Sequence, residues 1–88
     1  MVARAEGVVY EVVDGQAVLV DAAGREMITL NPVGTLIWQA LDGESDAVAL
    51  AARLLPQLEG VTGDQLQSDV TAFLRELLDL GLAKEPEG

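Results

Sequence analysis

The sequence predicts an α+β domain: an N-terminal three-stranded antiparallel sheet followed by three helices. Two β-branched runs flank an Asp-Gly pair near the start, the apolar period changes from two to helical spacing at Asn31-Pro32, and three apolar stripes bounded by capping residues follow. With 88 residues the chain is read as a single domain over 1–88, large enough to bury roughly 60% of its unfolded surface.

The first two strands are "VVYEVV" at 8–13 and "AVLVD" at 17–21, joined at Asp14-Gly15. Asp-Gly favours a two-residue turn with positive φ at both positions, which closes a hairpin. "DAAGR" then turns the chain into a third strand over 26–30. At Asn31-Pro32 a favoured N-cap precedes a proline at the first helical position, where no intrahelical N–H bond is lost. Val33, Leu36, Ile37, Ala40 and Leu41 continue at helical spacing until Gly43. Ser45 is the expected cap of a second helix with Val48, Ala51, Ala52, Leu55 and Leu58 as its stripe, ended or kinked by Pro56. Thr62 and Gln65 have capping-box spacing for a third helix, which carries Leu66, Val70, Phe73, Leu74, Leu77 and Leu78 and closes at Gly81. "LAKEPEG" follows as a short extended piece, with 84–88 expected to fray. The order resembles a winged helix with its hairpin first.

Charge and composition narrow the function. Fifteen acids against five bases give a net charge of −10, which repels phosphate backbones and anionic lipid, so neither nucleic acid nor membrane is expected as a partner. No apolar run nears the ~20 residues of a membrane span and "MVARAEG" lacks a signal-peptide core, which together predict a cytoplasmic location. The chain has neither cysteine nor histidine, so thiolate and imidazole ligands and the commonest general base are missing. Ser45 and Ser68 have no histidine to activate them, the aspartates lack calcium-loop spacing, and no phosphate-binding glycine motif occurs. Every glycine falls at a predicted turn or helix end except Gly34, in the first turn of helix one. The expectation is a binding module without catalysis, metal or cofactor.

The third strand, "REMITL", is the candidate site. By chain order it is a sheet edge, with unpaired N–H and C=O groups, no proline inside it and no lysine on it. Helix three has an apolar arc wider than one packing contact needs, with Phe73 and Leu80 toward a flank edged by Asp69 and Glu76. A peptide could add to the strand and place alternate side chains beside that flank. Ordinary core roles for Met27, Phe73 and Leu80 are the alternative. Which alternating pair of the strand points into the groove is open at this level.

"LNPVGTLIWQALDG" at 30–43, followed by "DVTAFLRELLDLGLA" at 69–83, resembles the PqqD-like family, small proteins related to coenzyme PQQ synthesis protein D. The similarity runs from Val8 to Ala83 and rests on the order and spacing of its parts. It implies a RiPP recognition element, a winged-helix-like domain that holds the leader of a ribosomally made precursor peptide for modifying enzymes. The leader would add antiparallel to the third strand and lie against the last helix. Carried onto this sequence, the peptide-binding residues would be Glu26, Met27, Ile28, Thr29 and Leu30 with Asp69, Val70, Phe73, Glu76 and Leu77. Trp38 also matches the family pattern and is assigned to the core. The chain further resembles free-standing proteins of lasso-peptide biosynthesis that deliver a leader to a separate leader peptidase. Leu41 stands where the PQQ-pathway protein often has cysteine before Asp-Gly, which favours the lasso type over a chaperone for a radical enzyme. A winged-helix nucleic-acid-binding regulator and a purely structural subunit are the readings from other classes.

Overall fold

The computed structural model describes residues 2–85. Nine elements follow one another: β1 Ala3–Arg4, β2 Val9–Val13, β3 Gln16–Val20, β4 Met27–Thr29, α1 Pro32–Ala40, α2 Ala47–Leu54, a 3-10 turn Leu55–Gln57, α3 Gly63–Asp79 and β5 Ala83–Lys84. The antiparallel sheet has the order β2-β3-β4 and the helices follow it, which is the α+β, winged-helix-like arrangement expected. Asp14 and Gly15, with φ of 53° and 79°, make the tight turn between β2 and β3. No helix among the described residues is long and apolar enough to cross a membrane.

The capping signals account for the helix starts. Asn31 Oδ1 accepts the Gly34 N–H at 2.7 Å with Pro32 at the first helical position, and Thr62 Oγ1 accepts the Gln65 N–H at 3.1 Å. The reciprocal half of that capping box is not formed, because Gln65 Nε2 donates to Asp69 Oδ1 at 3.0 Å instead. At its other end α3 closes with Gly81 N–H on the Leu78 carbonyl and Leu82 N–H on that of Leu77.

Helix two departs from the expectation twice. Its N-cap is Asp46, which accepts the Ala49 N–H, rather than Ser45. Ser45 is committed elsewhere: its N–H and hydroxyl both donate to the Asp42 carboxylate, and its oxygen accepts from Arg53 Nη2. The buried stripe is Leu50, Ala51 and Leu54, while Val48 and Ala52 face solvent. "AVALAARL" is apolar on nearly every side, so its period leaves the phase undetermined and packing against α3 sets it. Pro56 ends α2 as expected, in the 3-10 turn.

The ends of the chain also differ from the expectation. Ala3 and Arg4 pair antiparallel with Lys84 and Ala83, so the sheet of three strands is joined by a separate two-stranded ribbon and Lys84 is not frayed. The rest of the expected frayed tail, 86–88, lies outside the described residues. The ribbon brings Arg4 under α1, where Nε and Nη2 donate to the Trp38 carbonyl at 3.3 and 3.1 Å. Helix one has no base in its own last turn, and Arg4 supplies the cation that the C-terminal end of a helix favours. The guanidinium also lies over the Tyr10 and Trp38 rings, at 4.9 and 5.1 Å from their centroids.

One aliphatic core joins Ala17 and Leu19 of β3, Leu30, Ile37 and Trp38, Leu50 and Leu54, and Leu66, Val70, Leu74 and Leu77. Trp38 is fully buried, as assigned. Buried Thr35 fixes α1 to the sheet by accepting the Ala17 N–H at 2.8 Å.

The Asp42 network carries a pH prediction. Backbone N–H donors from Glu44 and Ser45, then the Ser45 hydroxyl and the Arg53 charge, hold its carboxyl at about 2, below the ordinary 3.8. A carboxyl depressed by folding stabilises the fold fully above 3.8, and that contribution is lost as pH falls toward 2. The expected result is that the urea midpoints of wild type and Asp42→Asn converge through this window. A gap that stays constant with pH would remove the role given to the carboxylate.

Candidate functional site

The register of β4 decides which of its groups are free. Val20 opposes Met27, Leu19 opposes Ile28 and Val18 opposes Thr29. The Asp21 N–H donates to the Glu26 carbonyl at 3.1 Å, and the Leu30 N–H to that of Ala17 at 2.7 Å. Antiparallel ladders alternate bonded and non-bonded pairs, so Glu26, Ile28 and Leu30 turn their backbone groups toward β3. Met27 and Thr29 turn theirs outward, to the open edge. An added strand would therefore draw its hydrogen bonds from Met27 and Thr29, and not from the backbone of all five residues.

Side chains follow the opposite division. Ile28 and Leu30 lie on the same face as buried Leu19 and Ala17, the face covered by the helices. Leu30 is buried and Ile28 half-buried against the core. Met27 is 72% exposed on the other face, with Thr29. Of the pair on the helix-covered face only Ile28 keeps exposed surface, and Met27 lies on the opposite face.

Helix three packs along α2 and leaves a space beside the start of α1. That space is a concavity of about 340 Å³ lined by Asn31, Val33, Gly34, Ile37, Asp69 and Phe73. Asn31 directly continues the edge strand, so the hollow opens at the end of the free backbone row. Val33, Ile37 and Phe73 give it an apolar side, Asn31 is polar, and Asp69, the one charged group among the described lining residues, is oriented by Gln65. The arrangement suits an extended peptide that pairs with β4, seats an apolar side chain against Phe73 and meets the acid with a base.

Of the residues expected on α3, Asp69 and half-buried Phe73 line the hollow, whereas Val70 and Leu77 have no exposed surface. Val70 and Leu77 belong to the core, because the centre of a helix's apolar arc faces its packing partner and only the flank is left for a ligand. Glu76 is exposed and does not line the hollow. Glu26 is exposed, with its carbonyl engaged by Asp21.

The α1 wall, Asn31, Val33, Gly34 and Ile37, was not among the sequence candidates. Gly34 was its one signal, a glycine inside a helix that no turn explains. A Cβ at this position would lie 3.2 Å from both Phe73 Cε1 and Asn31 Oδ1, so the absent side chain makes room for the Phe73 ring. Alanine gains about 1 kcal/mol of helix propensity at such a site, against the cost of moving the ring. Gly34→Ala is expected to leave thermal stability nearly unchanged and to weaken peptide binding by displacing Phe73 into the hollow. Unaltered affinity would show that the ring's position is immaterial.

The family model of coenzyme PQQ synthesis protein D (PqqD) matches residues 16–83. No curated protein matches the chain. Among solved structures, the chain is similar to TbiB1 in complex with the TbiA(beta) leader peptide, with a TM-score of 0.83 at 21% identity over 98% of this chain and 99% of that one. It is similar also to lasso peptide synthetase B1 complexed with the leader peptide, with a TM-score of 0.80 at 24% identity over 94% and 96% of the two chains.

Proposed function

Starting from the chain's membership of the PqqD family, whose model spans 16–83, we propose that it binds the leader segment of a ribosomally synthesised precursor peptide and delivers it to a separate leader peptidase or other modifying enzyme. It is a non-catalytic recognition element. The observation that carries this reading is the outward backbone row of Met27 and Thr29 ending at an apolar hollow beside Phe73. Main-chain pairing supplies register, the hollow supplies specificity, and Asp69 selects a base in the leader. Both solved neighbours are B1-type proteins bound to leaders, which supports the lasso-peptide pathway. The reaction sequence belongs in the cytoplasm, where a ribosomal precursor is made.

The nucleic-acid reading is disfavoured by α3, which offers Arg75 as its single base beside Asp64, Asp69, Glu76 and Asp79. The test is titration of a fluorescein-labelled synthetic leader of a lasso-type precursor, monitored by anisotropy. Ile28→Asp and Phe73→Ala are expected to weaken binding by roughly tenfold or more, equivalent to about 1.4 kcal/mol, and Glu85→Ala to leave it unchanged. Equal affinities in folded variants would sink the groove assignment.

A further inference from the structure

The outer face of the sheet is unlike that of an ordinary half-covered antiparallel sheet, which alternates apolar inside with polar outside. Val9 and Val13 of β2, Val18 and Val20 of β3 and Met27 of β4 all project to the side away from the helices. Val9 and Val13 are 62% and 52% exposed. A shallow concavity of about 360 Å³ lies among the valines, and Glu11 stands in its lining. No ion pair to Glu11 occurs among the described residues. Contiguous apolar surface around a single charge is the composition of an interface, with an apolar centre and a charge to fix register.

We infer that this face docks the enzyme to which the chain hands the bound precursor, through an apolar patch on that enzyme carrying a lysine or arginine opposite Glu11. The inference rests on the leader-binding reading. The two sides of the sheet then have separate guests, because the leader approaches the edge and the inner hollow while the outer face stays uncovered. Chain and enzyme can hold one precursor together without competing. Charge selects this occupant over a second copy of the chain: a symmetric pairing through the face would bring two Glu11 carboxylates and two chains of net charge −10 together. A basic partner gains from the same field that separates like copies. Met27 joins the two sites, with its backbone on the open edge and its side chain on the outer face.

The test uses the full chain, the fluorescein-labelled leader, and a separately purified leader peptidase of the lasso-peptide type. Val9→Glu, Val13→Glu and Glu11→Lys leave the hollow untouched. They are expected to keep leader affinity within about twofold of wild type while weakening chain–peptidase binding in calorimetry, and slowing precursor cleavage, by roughly tenfold. Cleavage and peptidase binding at the wild-type level in all three variants would overturn the inference. So would a parallel loss of leader affinity in folded variants, which would make the outer face part of the leader site. Wild-type chain that binds no leader would instead overturn the underlying reading, and the first arm reports this separately.

Discussion

Met27→Pro is expected to abolish most leader binding while leaving the domain folded. Register alone sets this effect. The Asp21–Glu26 and Ala17–Leu30 hydrogen bonds fix the alternation along β4, so the Met27 N–H points away from β3. Proline there removes no bond of the native ladder, and edge strands tolerate proline for this reason. It does remove the first donor a guest strand needs, and its ring occupies the approach path. A leader carbonyl left without a partner in the bound state costs about 1–3 kcal/mol, or roughly 5- to 150-fold in affinity. Ile28→Pro is the internal control. Its N–H points toward Leu19, so the same substitution one residue later breaks the sheet itself and is expected to lower the melting temperature. Anisotropy with the labelled leader, beside circular dichroism on both variants, separates the two outcomes. Leader affinity retained in folded Met27→Pro would exclude strand addition at this edge.

The features legible in the sequence are those whose causes are local. Asp14-Gly15 encodes its turn, Asn31-Pro32 its helix start and Thr62 its cap, because each signal lies within four residues of its effect. Pairing of Ala3 and Arg4 with Ala83 and Lys84 joins opposite ends of the chain through two-residue strands, too short to show any period. Ser45 and Asp46 are both good N-caps in adjacent positions, and the choice between them is made by Asp42 and Arg53, which occupy Ser45. The edge strand was legible because strand order follows chain order in a meander, and Asp69 and Phe73 because they sit on the flank of an amphipathic arc. The burial of Val70 and Leu77 is not legible for a related reason: a period shows which face is apolar, not how much of it a neighbouring helix covers. The hollow's α1 wall depends on how α1 and α3 meet, which only Gly34 hinted at.

Trp38→Ala is expected to have the largest effect on stability of any single substitution considered. Its ring is the largest fully buried side chain, it meets Tyr10 edge-on with centroids 5.7 Å apart, and Arg4 lies over both rings. Truncating a buried tryptophan typically costs about 3–5 kcal/mol, a large part of the roughly 5–15 kcal/mol that holds a domain folded. The loss also frees Tyr10 and Arg4, so the ribbon that fixes Arg4 beneath α1 loosens with it. Trp38→Phe should cost less, because it keeps most of the packing and removes an indole Nε1 that has no hydrogen-bond partner among the described residues. Leader binding offers an independent check on Trp38→Ala. A ligand present at about 100 times its dissociation constant stabilises the native state by roughly 2.7 kcal/mol. Trp38→Ala should therefore melt early when alone and regain several degrees on adding leader, since the ring lies in the core and not in the hollow beside Phe73. A variant that stays folded yet gains nothing from leader would instead place Trp38 in the binding site.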